Sequence, residues 1–166
     1  MKKFSLFFIF LLSLTWLTIP AASNLQAAEP SASLFFKLDE QTYLDPEIIK
    51  IDICLDTNSQ NINAFSLNLD FATNSLKLIK IEKEPATGPF LIKETTNNQK
   101  GNYLLLTGSP TPLIAAGTAI AHLTFKKIKI GWTDLKINEN SLVLAANGAG
   151  TNILTNRDRL KIYLIK

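Results

Sequence analysis

The chain offers one histidine, one cysteine and 14 carboxylates for chemistry, and their spacing decides what that chemistry can be. General acid–base work near neutral pH would fall to His122, the only imidazole. It belongs to the segment Thr118 to Lys126, where Ala119, Ala121, Leu123 and Phe125 take one parity and Ile120, His122, Thr124 and Lys126 the other. An extended chain sends alternate side chains to opposite faces, so His122 is predicted on the wet face of a sheet rather than in a cleft. Zinc asks for three or four ligands, more than one histidine and one cysteine ordinarily assemble. Cys54 has no mate for an internal disulfide, and it shares a parity with Lys50, Asp52 and Asp56, opposite Ile49, Ile51, Ile53 and Leu55. It reads as a small surface residue. Adjacent Asp39 and Glu40 point apart in an extended chain, and Asp45 and Glu47 straddle Pro46, so neither pair makes two facing carboxylates. The loop Asn147 to Gly150 has no carboxylate for calcium. The sequence contains no Gly-x-Ser-x-Gly elbow, no Gly-x-Gly-x-x-Gly turn and no P-loop. The expectation is a protein without catalytic residues, metal or cofactor.

Aromatic rings supply the remaining chemistry, because sugars stack on them. Phe65, Phe71 and Phe125 fall on apolar parities, which leaves Tyr43, Tyr103, Trp132 and Tyr163 as candidates for exposed rings, scattered over different elements. Trp132 and Tyr103 are the candidate sugar-stacking residues, although a tryptophan beside Gly131 reads first as a core plug at a turn. Nucleic acid is not expected as a partner. Without Lys2 and Lys3 the 17 basic side chains fall to 15 against 14 acids, a net charge of +1. Lys126, Lys127 and Lys129 are the nearest thing to a basic cluster, and they close a strand pattern.

The elements that must position these residues begin after a leader. Lys2 and Lys3 precede the uncharged run Phe4 to Ile19, followed by Pro20 and the small residues Ala21, Ala22 and Ser23. That order predicts a secretory signal peptide over residues 1–28, cleaved between about 23 and 28. The run is 16 residues, shorter than the ~20 of a membrane-crossing helix, so an uncleaved leader is the only membrane contact expected. Residues 29–166 then form a single secreted or envelope domain, large enough to hold a core without disulfides.

Inside that domain the cleanest pattern runs from Asn61 to Ile81. Phe65, Leu67, Leu69 and Phe71 share one parity and Ser66, Asn68 and Asp70 the other, so one face is core and the other meets water. Strands are also predicted over Ser33 to Leu38, Ile48 to Asp56, Leu76 to Glu82, Asn102 to Thr107, Thr118 to Lys126, Asp134 to Ile137, Ser141 to Ala145 and Arg159 to Ile165. Asp45-Pro46, Gly131-Trp132-Thr133 and Asn147 to Gly150 read as turns, and Thr95 to Gly101 as a loop or hairpin tip after the short apolar piece Phe90-Leu91-Ile92. No segment beyond the leader has helical periodicity. The pattern predicts an all-β, antiparallel sandwich of about nine strands.

With the strands placed, the sequence resembles the bacterial cohesin domain, the receptor module that docks dockerin-bearing proteins. Four stretches carry the resemblance in family order: Tyr43 to Asp56, Ile62 to Leu78, Gly117 to Phe125 with Gly131 and Thr133 after it, and Leu144 to Leu154. The resemblance implies a jelly-roll related to carbohydrate-binding modules, with one sheet face as the docking surface. On that face it implies Ala64, Ser66, Asn68 and Asp70, beside Tyr103 and Leu105 of the neighbouring strand. The chain departs from the family at Ala72 and Thr73, where the turn has aspartate and proline, and at Ala64, which offers no hydrogen bond. The expected partner is a dockerin-like protein. A polysaccharide bound on the same scaffold and a structural envelope subunit are the alternatives.

Overall fold

The computed structural model describes residues 29–39, 44–84, 90–97, 102–108 and 116–165, with 90–97 and 102–108 described as strands without their side chains. The predicted leader and Tyr43 lie outside these residues. Twelve strands occur among them: β1 (Ala32–Leu38), β2 (Ile48–Asp56), β3 (Ile62–Ser66), β4 (Leu69–Phe71), β5 (Leu76–Lys83), β6 (Phe90–Asn97), β7 (Asn102–Gly108), β8 (Thr118–Lys127), β9 (Gly131–Ile137), β10 (Leu142–Ala145), β11 (Leu154–Arg157) and β12 (Arg159–Leu164). They build two sheets. One runs β11-β1-β2-β8-β5, and the other runs β10-β3-β7-β4-β9-β12 with β6 beyond β7.

The predicted strand at the heart of Asn61 to Ile81 is two strands in one line. On one side β7 pairs with both β3 and β4, and on the other β10 pairs with β3 and β9 with β4. The interruption at Leu67 and Asn68 falls where β10 gives way to β9. There the backbone N–H of Asn68 donates to Ser141 Oγ at 2.9 Å instead of to a neighbouring strand. The parity still holds across the break, since Phe65, Leu67, Leu69 and Phe71 are all buried.

The core lies between the sheets and is drawn from Ala32 to Leu164, so a chain beginning at Glu29 contains all of the described core. Leu34, Ile49, Ile51, Ile53 and Leu123 face it from the five-stranded sheet, Leu135, Ile137 and Val143 from the other. Each such side chain contributes about 1.5–3 kcal/mol by leaving water. Phe71 and Phe125 meet across the layers, edge to face, with ring centroids 5.2 Å apart at 70°.

Several readings of the sequence are corrected. Cys54 is buried, 1% exposed, rather than a surface residue. Phe35 stands directly across the ladder from it and Ala119 on its other side, where the register of β2 and β8 shifts. With its strand paired on both sides, the thiol is out of water, and burial pushes its pKa up. Ile120 is buried although its parity was polar, because the ladder between β2 and β8 shifts after Ile53 and leaves Ile120 as an extra residue. Gly131 to Thr133 is the start of β9 and not a turn. Gly131 has φ of 126°, which L side chains rarely adopt, and this lets the chain enter the strand directly from the loop before it. The piece at Phe90 extends to Asn97 and pairs with β7 as a hairpin. The strand β11 runs parallel to β1, an exception to the antiparallel pairing the sequence predicts.

Candidate functional site

The outer face of the seven-stranded sheet is set by register. Ser66 stands across from Leu142 and Ala64 from Leu144. Asp70 stands across from Lys136, and Lys136 from Arg159. One row further, Asp134 faces Lys161, and beyond it Trp132 faces Tyr163. The expected site residues Ala64, Ser66, Asn68 and Asp70 are thus on one face, half-buried. Tyr103 and Leu105 lie on β7, with Tyr103 paired to Leu69 and Leu105 to Lys93; their side chains lie outside the described residues.

Two of the expected contact groups are engaged within the fold. Asn68 Nδ2 donates to the Asn140 carbonyl at 3.1 Å, and Asp70 Oδ2 accepts from Asn138 Nδ2 at 2.8 Å. Both side chains hold the loop between β9 and β10. The β9–β12 part of the face carries exposed aromatic rings. Trp132 is 65% exposed and Tyr163 is also exposed; their rings meet edge to face at 5.3 Å and 73°. Lys161 Nζ lies 5.1 Å from the Trp132 ring centroid, a cation–π contact. Arg159 Nε donates to Asp134 Oδ2 at 2.7 Å, and a second guanidinium nitrogen contacts the same oxygen. Trp132, Thr133, Asp134, Arg159 and Lys161 line a shallow cavity of about 370 Å³. Sequence reasoning named Trp132 and Tyr163 separately, and missed Asp134, Arg159 and Lys161, because only the β9–β12 ladder brings the five together.

The other sheet carries a second arrangement that the sequence did not reveal. His122 faces outward as expected, but its Nδ1 is 2.7 Å from Asp52 Oδ1 and its Nε2 is 3.0 Å from Glu84 Oε2. The hydrogen bond to Asp52 raises the His122 pKa, desolvation opposes it, and Glu84 adds to the rise. With both nitrogens held, the ring is a cross-link between β2 and the end of β5 rather than a poised base. Among the described residues no group of histidine, cysteine and carboxylates is arranged to hold a metal ion.

The two sheets make a two-layer, all-β sandwich, with Trp132, Tyr163 and Arg159 exposed on the outer face of one sheet. Its fold is that of bacterial cohesin modules. No family model and no curated protein matches the sequence. Among solved structures, the chain is similar to a cohesin module from a Clostridium perfringens family 33 glycoside hydrolase at TM-score 0.65 and 10% identity, covering 82% of this chain and 98% of that one. A type II cohesin domain from the cellulosome of Acetivibrio cellulolyticus matches at TM-score 0.64 and 15% identity, covering 80% and 95%. The sixth cohesin of the scaffoldin B of the same organism, solved in complex with a mutant dockerin, matches at TM-score 0.60 and 15% identity, covering 81% and 99%.

Proposed function

We propose that the chain is an exported, non-catalytic binding module, a jelly-roll sandwich that docks a dockerin-like protein on the outer face of its seven-stranded sheet. The observation that carries this reading is the exposed Trp132–Tyr163 pair, with Arg159 beside it, on the same sheet face as Ser66. Trp, Tyr and Arg are the side chains that most often dominate binding energy at protein interfaces. The fold adds support, since several of its solved examples are complexes with dockerins. Ala64 removes one hydrogen bond from the centre of the face, and Asn68 and Asp70 serve the β9–β10 loop, so binding energy shifts towards the β9–β12 half.

A saccharide ligand is the second reading, favoured by one observation: the Trp132 ring is exposed instead of plugging the core. A single experiment separates the two. The chain from Glu29 onward is used to capture partners from the source organism's secretome and, in parallel, to bind insoluble polysaccharides. For protein docking, Trp132→Ala costs about 2 kcal/mol or more, roughly 30-fold in affinity, and Ser66→Arg also abolishes capture by blocking the other half of the face. Polysaccharide binding that is lost in Trp132→Ala and kept in Ser66→Arg establishes the second reading instead. Equal protein capture by wild type and both variants overturns the first.

A further inference from the structure

Seven large apolar side chains are exposed among the described residues, and five of them, Leu44, Ile128, Ile130, Trp132 and Tyr163, belong to segments that meet at one end of the sandwich. The register brings them there. Lys127, at the end of β8, donates its backbone N–H to Glu47 at 2.7 Å, and its Nζ bonds the Asp45 carbonyl, which lays the segment from Leu44 against that end. The loop that follows is pinned by Ile128 N–H donating to the Ser75 carbonyl at 2.8 Å. Gly131 then pairs with Leu164 and Trp132 with Tyr163. Between these parts lies a recess of about 630 Å³ lined by Ile128, Ile130 and Ile165 together with Lys126, Lys127 and Lys129.

Two features distinguish this end from an ordinary solvated loop. Ile128 and Ile130 are 52% and 53% exposed, though a polar loop has no reason to concentrate isoleucine at its tip. Lysines alternate with them, in the order Lys126, Lys127, Ile128, Lys129, Ile130, and Lys161 adds a further charge beside Trp132. The carboxylates of the facing segment are Asp45 and Glu47, fewer than the lysines. Lysine is depleted at protein–protein interfaces, which speaks against a protein as the occupant. A bilayer surface takes all three residue types at once: isoleucine at the acyl boundary, tryptophan and tyrosine at the headgroup level, and lysine against anionic headgroups.

We propose that this end of the molecule binds the surface of an anionic lipid bilayer, with the 128–130 loop entering the headgroup region. Contact of this kind is peripheral. No helix among the described residues is long and apolar enough to cross a membrane. Trp132 and Tyr163 are shared with the docking face, whereas Lys126, Ile128, Lys129 and Ile130 lie off it, so variants in the 126–130 segment test this proposal separately from the docking reading.

The test uses the chain from Glu29 onward and two sets of vesicles, phosphatidylcholine alone and phosphatidylcholine mixed with phosphatidylglycerol. Trp132 is the only tryptophan in that chain, so its emission reports on this end directly. The expected result is co-sedimentation with the mixed vesicles, weakened by salt, with a blue shift of tryptophan emission. Lys126→Glu/Lys129→Glu lowers partitioning by about fivefold or more per lysine. Ile128→Ser/Ile130→Ser lowers it at every salt concentration, and both variants melt like the wild type because the side chains are exposed. Absence of binding to the mixed vesicles overturns the proposal, as does equal binding by all three proteins. Loss of association with a second protein in the isoleucine variant, with no vesicle binding by the wild type, overturns it in favour of a protein interface.

Discussion

At the scale of single residues, His122 carries a consequence for stability. A neutral imidazole has one N–H, so with carboxylates at both nitrogens one lone pair would face an anion, whereas the imidazolium donates to both Asp52 and Glu84. Glu82, directly across the β5–β8 ladder, adds no competing bond because it is paired with Lys80 at 2.8 Å. The folded-state pKa of His122 is therefore raised above the ordinary 6.5. A raised folded value means that protonation favours the native state. The contribution is fully present below about 6.5 and is lost as pH rises through the folded value. It is modest, because all three side chains are partly exposed and water screens the pair. Melting temperatures of wild type and His122→Gln, measured across this range, are expected to differ most on the acid side and to converge as pH rises. A difference that stays constant through the window would show that His122 acts by packing alone.

At the scale of elements, the break between β3 and β4 is the feature on which the candidate face depends. Ser141 is fully buried, and its hydroxyl both accepts from the Asn68 N–H and lies 3.2 Å from the Asn68 carbonyl. It does the work of a strand neighbour at the one place where neither β9 nor β10 reaches. Ser141→Ala leaves that N–H without its acceptor, and a loss of about 1–3 kcal/mol is expected from urea unfolding. Amide exchange at Asn68 should rise with it, and unchanged exchange would show that another group satisfies the backbone. This element also shows what alternation can and cannot tell. Period-2 patterning placed β2 at Ile48 to Asp56 and assigned the core parity of Phe65 to Phe71, since burial of one face dictates it. It missed Ile120, because one extra residue in a ladder exchanges the faces without a trace in composition. It missed the loss of Asn68 and Asp70 to the 138–141 loop, because their partners lie about 70 residues away in sequence. The short strand β11 is legible only through its parallel pairing with β1, which is further away still.

At the scale of the whole molecule, the two sheets are held together without a disulfide, since Cys54 is the only cysteine. The interlayer contact of Phe71 with Phe125 is then a place where cohesion between sheets can be measured. Phe125 is fully buried and Phe71 nearly so, and the two belong to different sheets. Removing either ring leaves a cavity that its neighbours fill only in part, so Phe71→Ala and Phe125→Ala are each expected to cost about 3–5 kcal/mol. Against a total of about 5–15 kcal/mol, one such loss is a large share of the stability of the domain. The two losses should not add. Once one ring is gone the other has already lost its edge-to-face partner, so the double variant should be more stable than the sum predicts by about 0.5–1.5 kcal/mol. Urea unfolding of wild type, both single variants and the double variant gives this coupling directly. Strict additivity would mean that the rings stabilise their own sheets separately, and that the contact between them contributes little to holding the layers face to face.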